Sequence, residues 1–284
     1  MKVAVILSTY DQPQHLRRVL AGYLRQQRPP DELVIADDGS GPETAAVVDE
    51  FAALAPYPIS HYTHEHLGWR KNIIVNRAIA ATNADYIIVS DGDCVPRADF
   101  VAMHIRNARP RRFLSGGDTR LSPEATASIE VSEILDGSLF TPARLRGLGL
   151  SFRKVVGKLC LSPRVGWIAD LLNVSFARWG GSNASTWREA LLAVNGLDER
   201  FRSPGKDDVE LGERLRNYGF AGRHIRHQAI CLHLHHPKGY WLPDEIARNL
   251  AHLATTRRTR RVRAPQGIAE AATPFSMRRV IPAR

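Results

Sequence analysis

Asp91-Gly92-Asp93 follows the apolar run Tyr86-Ile87-Ile88-Val89, one residue on, which puts two carboxylates at the carboxyl end of a buried strand. Open α/β sheets bind their ligands at that end. Side chains alternate along an extended segment, so Asp91 and Asp93 project to one side, and Gly92 lets the backbone turn between them. Two such carboxylates can hold a hard divalent cation, which can bridge the oxygens of a diphosphate. A D-x-D arises about once by chance in a chain of this length and ordinary charge content. Its meaning therefore depends on what surrounds it.

Three other polar stretches close apolar runs or open helices in the same half. Ser8-Thr9-Tyr10-Asp11 follows Lys2–Leu7, Asp37-Asp38-Gly39-Ser40 follows Leu33–Ala36, and Gly68-Trp69-Arg70-Lys71-Asn72 opens a helical pattern. Together they offer what a nucleoside diphosphate needs. The Asp38 carboxylate can accept from a base N–H, Ser8 and Thr9 can reach ribose or base, and Arg70 or Lys71 can meet phosphate oxygens near a helix start. Taken alone, Asp37–Ser40 reads first as a turn with a helix cap, and the company of the other three loops reverses that preference. Trp69, Trp179 and Trp241 can each stack on a sugar or simply pack. Trp179 stands out because it precedes the Gly180-Gly181 bend, where backbone can approach a ligand.

These loops need a scaffold that brings them to one edge. Buried-strand patterns at 2–7, 33–36, 59–63 and 86–89 alternate with helical spacing at 16–24 and 47–54 and with a plausible helix over 68–82. That alternation predicts an α/β fold with a mostly parallel, Rossmann-like sheet and right-handed crossovers. Beyond Asp93 the pattern predicts a helix over Asp99–Arg109, a strand at Arg112–Leu114, helices over about Ser185–Val194 and Asp207–Tyr218, and a strand over Ala229–Leu234. Residues 139–179 mix apolar side chains with Arg144, Arg146, Arg153, Lys154, Lys158 and Arg164. This stretch reads either as a helical insertion with a solvated basic face or as an acceptor-site lid or membrane-contacting segment. One domain over 1–243 is expected, with a nucleotide-binding half (1–115), a second half (116–243) that carries the 139–179 insertion, and a basic extension over 244–284.

The chain has 284 residues, 44% hydrophobic and 24% charged, enough for a full core. No stretch approaches the roughly 20 apolar residues of a membrane-spanning helix, and no leader is evident, so a cytoplasmic protein is expected. Cys94, Cys160 and Cys231 are widely spaced, which indicates neither a disulfide framework nor a cysteine metal site. The formal charge of +10 favours anionic partners.

Ser8-Thr9-Tyr10, Asp37-Asp38-Gly39-Ser40 and Asp91-Gly92-Asp93, in this order, resemble the fingerprints of inverting family-two glycosyltransferases with the GT-A fold. Gly180-Gly181-Ser182-Asn183, Asn195-Gly196-Leu197-Asp198-Glu199-Arg200-Phe201 and Lys206-Asp207-Asp208-Val209-Glu210-Leu211 resemble the galactosyltransferase-like carboxyl region of the chondroitin polymerase type. The resemblance covers about Lys2 to Pro237. It departs at Asp207-Asp208, where the family usually carries Glu-Asp.

The resemblance implies displacement at the anomeric carbon of a nucleotide sugar, UDP being the expected nucleotide, with Mn²⁺ or Mg²⁺ on the leaving diphosphate. Asp91 and Asp93 would hold the metal. Among His233, His235 and His236, which end the last strand, His233 is the favoured third ligand. Asp208 would be the base, with Asp207, Trp179, Gly181 and Asn183 at the acceptor. Ser8, Thr9, Tyr10, Asp11, Asp38, Arg70, Lys71, Asp91 and Gly92 would hold the donor. A glycan or lipid-linked acceptor in cell-surface polysaccharide synthesis fits this reading. The arginine-rich stretch Arg257–Arg263 would touch an anionic membrane face peripherally.

Two rivals make different predictions. A sugar nucleotidyltransferase would carry a Gly-rich basic loop after the first strand, where this chain has Ser-Thr-Tyr-Asp. A nucleic-acid-binding protein would bind in a steeply salt-dependent way without metal, but four acidic strand-end loops would repel a phosphate backbone. No nucleic acid partner is expected, and hydride transfer lacks its G-x-G-x-x-G.

Overall fold

The structure, a computed structural model, describes residues 1–237, 243–270 and 275–280. Trp241 lies outside them. Strands β1 (Val3–Thr9), β2 (Glu32–Asp37), β3 (Ile59–Thr63) and β4 (Tyr86–Asp91) alternate with helices α1 (Pro13–Leu24), α2 (Pro42–Leu54) and α3 (Lys71–Ala81). β1 pairs in parallel with both β2 and β4, and β2 with β3. Period-two alternation splits the apolar side chains between two layers. Val3, Val5, Leu7, Tyr86 and Ile88 face the cluster containing α1 and α2, whereas Ile6, Ile87 and Val89 face the cluster containing α3. Burial on both faces explains why these strands read as continuous apolar runs. Pro13 and Pro42 sit in the first turns of α1 and α2, where a missing N–H costs nothing.

The second half adds β5 (Cys94–Pro96), α4 (Phe100–Asn107), β6 (Arg112–Ser115) and β7 (Gly117–Arg120). Five short helices follow: α5 (Pro123–Ala127), α6 (Val131–Asp136), α7 (Pro142–Gly147), α8 (Phe152–Lys154) and α9 (Pro163–Leu171). Then come β8 (Asn183–Trp187), α10 (Arg188–Ala193), α11 (Asp207–Asn217), β9 (Ala221–His224), β10 (Ile230–His233), α12 (Pro243–Thr259) and β11 (Ser276–Val280). The main sheet runs β11-β3-β2-β1-β4-β8-β6-β9, and a small sheet runs β5-β10-β7. The α/β class with a large, mostly parallel sheet flanked by helices is as expected.

Three boundaries differ from the sequence reading. Residues 183–187 form β8, so the helix expected from Ser185 starts only at Arg188. β8 lies antiparallel between β4 and β6, and hydrogen bonding on both edges holds residues 183–187 extended. α3 starts at Lys71, with Arg70 as its non-helical N-cap at φ −133° and ψ 26°. The described parts of the expected extension over 244–284 pack on the domain. In α12, Thr256 Oγ1 donates to Glu210 Oε1 of α11 at 2.7 Å, and β11 pairs antiparallel with β3.

Candidate active site

The carboxyl ends of β1, β2 and β4 and the start of α3 open into one cavity of about 1120 Å³, lined among others by Ser8, Thr9, Tyr10, Asp38, Lys71, Asp91, Gly92, Asp93 and His233. Gly92 sits in close quarters rather than in a left-handed turn: a Cβ there would meet the Thr9 side chain at 3.0 Å, and its N–H donates to Ser8 O at 2.7 Å. This contact seats the β4 turn against the β1 turn.

At one end of the cavity, Asp38 is fixed on both oxygens. Oδ1 lies 2.6 Å from His64 Nε2, and Oδ2 accepts the Arg70 backbone N–H at 2.8 Å. The Tyr10 ring stacks on His66 with centroids 4.2 Å apart, a flat aromatic wall beside Asp38. Asp37 sits behind, bonded to Ser40 and His61. Asp11 has a φ of 45°, and its N–H donates to Ser40 Oγ at 2.8 Å, so it shapes the β1 turn at an exposed position. Three buried polar atoms here, Thr9 Oγ1 and Arg70 Nε and Nη2, have no hydrogen-bond partner among the described residues. Buried donors are costly to leave unmet, and phosphate or ribose oxygens would satisfy them.

The metal candidates cluster at the β4–β10 junction. Asp93 Oδ2 lies 3.4 Å from His233 Nε2 and 3.4 Å from His236 Nε2. On the far side of the ring, His233 Nδ1 donates to Asp118 Oδ2 at 3.0 Å. Burial works against charge on His233, but Asp118 and Asp93 outweigh it and carry its pKa up to about 10. The hydrogen bond from His233 brings Asp118 down to about 2. A carboxylate, an imidazole facing it and a second carboxylate fixing the imidazole's other nitrogen form a donor set that fits Mn²⁺ or Mg²⁺. Cys94 Sγ lies within 4.8 Å of the same ligand atoms. However, a hydrogen bond with Cys231 and burial push its thiol well up. A neutral thiol is a poor ligand for a hard cation.

Asp91 lies outside this group and turns the other way. It accepts from Ser8 Oγ at 2.6 Å and from Lys71 Nζ at 2.6 Å. Burial opposes the Lys71 charge, but Asp91, Asp207 and Asp208 outweigh it and raise its pKa. Lys71 thus borders both this cavity and a second one of about 270 Å³, which holds Trp179, Gly181, Asp207 and Asp208 and shares Lys71, Asp91 and His233 with the first. In this smaller cavity burial and the neighbouring Asp208 push Asp207 up to about 7. Burial raises Asp208 as well, against the Val209 and Gly181 backbone N–H groups that donate to it. One carboxylate of the pair thus holds a proton near neutrality.

Among the expected acceptor residues, Gly181 and Trp179 line this second cavity, although Trp179 is 2% exposed and packs against Phe113. Asn183 is placed elsewhere. It is buried in β8, where Oδ1 accepts from His104 Nε2 and Nδ2 donates to Gly117 O and Ala229 O, so its amide holds the sheet together. Asp118 and His64 carry no motif and are not singled out by the sequence, whereas His236, weighed there behind His233, does face Asp93. The one hint was His64 and His66 directly after a strand.

Residues 4–130 match the family model described as Glycosyl transferase family 2. Chondroitin synthase from Escherichia coli is 23% identical over 239 residues, covering 76% of this chain but only 32% of that protein, so the chain spans about a third of this relative. Two solved structures share the fold. The mannosyltransferase PcManGT from Pyrobaculum calidifontis, in complex with GDP-Man and Mn²⁺, has a TM-score of 0.58 at 19% identity over 93% of this chain and 66% of that one. S. aureus TarS 1-349 in complex with UDP has a TM-score of 0.59 at 14% identity over 95% of this chain and 68% of that one. The resemblance read from the motifs is borne out, and the fold is GT-A.

Proposed function

We propose that this chain, whose residues 4–130 match the Glycosyl transferase family 2 model and whose fold is GT-A, moves a sugar from a nucleotide sugar to a glycan or lipid-linked acceptor with inversion. One observation carries the reading: the Asp93–His233 pair and the Asp207–Asp208 pair occupy adjoining cavities joined at Lys71. UDP is the proposed nucleotide, because TarS holds UDP in the same fold and because a carboxylate such as Asp38 can accept from the N–H of uracil.

In this reading the Tyr10–His66 wall and Asp38 hold the base, Ser8 and Thr9 the ribose, and Arg70 the diphosphate. Asp93 and His233 would hold Mn²⁺ or Mg²⁺, and Asp91 keeps Lys71 in place between them and the acceptor cavity. Once bound, the cation would act as a Lewis acid on the leaving diphosphate. Asp208 accepts the proton of the acceptor hydroxyl as its oxygen bonds to the anomeric carbon, while the bond to the diphosphate breaks and its electron pair departs with the phosphate oxygen. The half-protonated Asp207 beside it can donate a hydrogen bond to the acceptor. The chain would work at the cytoplasmic face of a membrane, with peripheral lipid contact and no nucleic acid partner. No helix among the described residues is long and apolar enough to cross a membrane.

A thermal-shift screen of nucleotide sugars with and without Mn²⁺ tests the reading. A UDP-sugar should raise the melting temperature only when Mn²⁺ is present, because a ligand of the folded state stabilises it by mass action. Equal shifts without metal, or no shift with any nucleotide sugar, would contradict it.

A further inference from the structure

Helix α9 is amphipathic in the wrong sense for a globular protein. Its buried edge is Gly166 and Asp170. A Cβ on Gly166 would meet His227 O at 2.5 Å, and Asp170 accepts from the His227 ring and backbone N–H groups and from Gln228 Nε2. The outward arc is apolar. Val165, Trp167, Ile168, Leu171 and Leu172 follow helical spacing and are exposed, Ile168 at 50% and Leu172 at 73%. The arc continues beyond the helix to Val174, 99% exposed, and Phe176. Just before α9, Phe152 and Val156 are exposed around Arg153 and Lys154. Monomeric soluble proteins rarely leave such a contiguous apolar surface bare.

Charge selects the occupant. From Gly137 to Arg178 the only acid is Asp170, which faces inward, whereas Arg153, Lys154 and Arg164 are exposed with no ion-pair partner among the described residues. The segment is tied to the site at both ends. Lys158 Nζ donates to Asp118 O at 2.8 Å beside His233, and Trp179 begins the wall of the acceptor cavity. The arginine-rich tail is less free: Arg257 pairs with Glu213, and Arg261 O accepts from Asn217.

From the inverted face of α9 and its unpaired cations, we infer that the segment 152–176 is the surface by which this protein lies on an anionic lipid bilayer. The apolar arc inserts at the level of the headgroups, and Arg153, Lys154 and Arg164 meet lipid phosphates. The inference locates the peripheral contact of the proposed function but does not depend on sugar transfer. It is tested on the full chain without nucleotide or metal, so its failure and the failure of the transfer reading are separate results.

The experiment is sedimentation with phosphatidylcholine vesicles containing about 30% phosphatidylglycerol, compared with pure phosphatidylcholine. The wild type should bind the anionic vesicles, and less so at high salt. Ile168→Glu with Leu172→Glu should reduce partitioning about tenfold or more, and Arg153→Glu with Lys154→Glu should reduce it on anionic vesicles. Circular dichroism and melting temperature should be unchanged, since all four side chains are exposed. Neutralising Arg258, Arg260 and Arg263 should change it less than about twofold. The inference is overturned if the wild type ignores anionic vesicles or if the Ile168/Leu172 variant partitions normally. It is also overturned if the tail variant alone abolishes binding, or if sedimentation velocity shows that the Ile168/Leu172 change merely splits a dimer.

Discussion

The Lys71 ammonium sits 2.6 Å from Asp91 Oδ1 and acts electrostatically on Asp207 and Asp208 at the same time. One cation thus acts on three carboxylates at the point where the two cavities meet. Replacing it with the apolar Lys71→Met should leave these acids facing one another. The acid limb of the pH–rate profile should move up by about one unit, because like charges disfavour ionisation. An unmoved limb would show that Lys71 does not tune the pair.

Asp207 predicts how stability depends on pH. Its folded pKa of about 7 lies above its ordinary value of 3.8, so the folded state holds a proton that the unfolded chain releases. Stability is therefore highest below about pH 4 as far as this group is concerned, and falls as pH rises to about 7. The loss should be on the order of a few kcal/mol. Urea unfolding across this range should show the slope in the wild type and a flatter curve in Asp207→Asn.

Asp118 is a positioning residue for His233. Asp118→Asn keeps the size but removes the charge that fixes Nδ1. Mn²⁺ affinity, read by calorimetry, should fall by about 10–100-fold, and metal-free stability near neutral pH should fall as well, because the Asp118–His233 ion pair is lost. Unchanged affinity would remove His233 from the metal site.

Gly116 and Asn183 form a packing lock beneath the site. A Cβ at Gly116 would lie 2.0 Å from Asn183 Oδ1, and that amide is held by His104, Gly117 and Ala229. Gly116→Ala should cost about 1–3 kcal/mol in denaturant unfolding, as overpacking of a rigid neighbour does.

These residues show what the sequence could and could not convey. Asp93 was legible because a continuous apolar strand ends just before it, and Asp38 and Thr9 for the same reason on neighbouring strands. The strand-end rule says where a residue lies but not which way it points. Asp91 and Asp93 were expected to act together, yet one faces Lys71 and the other His233. Asp118 was invisible because its partner is 115 residues away and no local spacing joins them. Asn183 was misplaced because a polar residue in a Gly-rich stretch suggests a ligand, whereas β8 is wedged between two strands and consumes the amide. The inverted face of α9 could be seen only once Asp170 was found inside.

The central claim is that Asp93 serves the donor and Asp208 the acceptor. Its most direct test is single-turnover sugar transfer measured beside Mn²⁺-dependent nucleotide binding in Asp208→Asn. The account predicts nucleotide affinity within about twofold of wild type and transfer reduced by about 10²–10⁴-fold, the usual cost of losing a general base. Transfer at the wild-type rate by Asp208→Asn would contradict it.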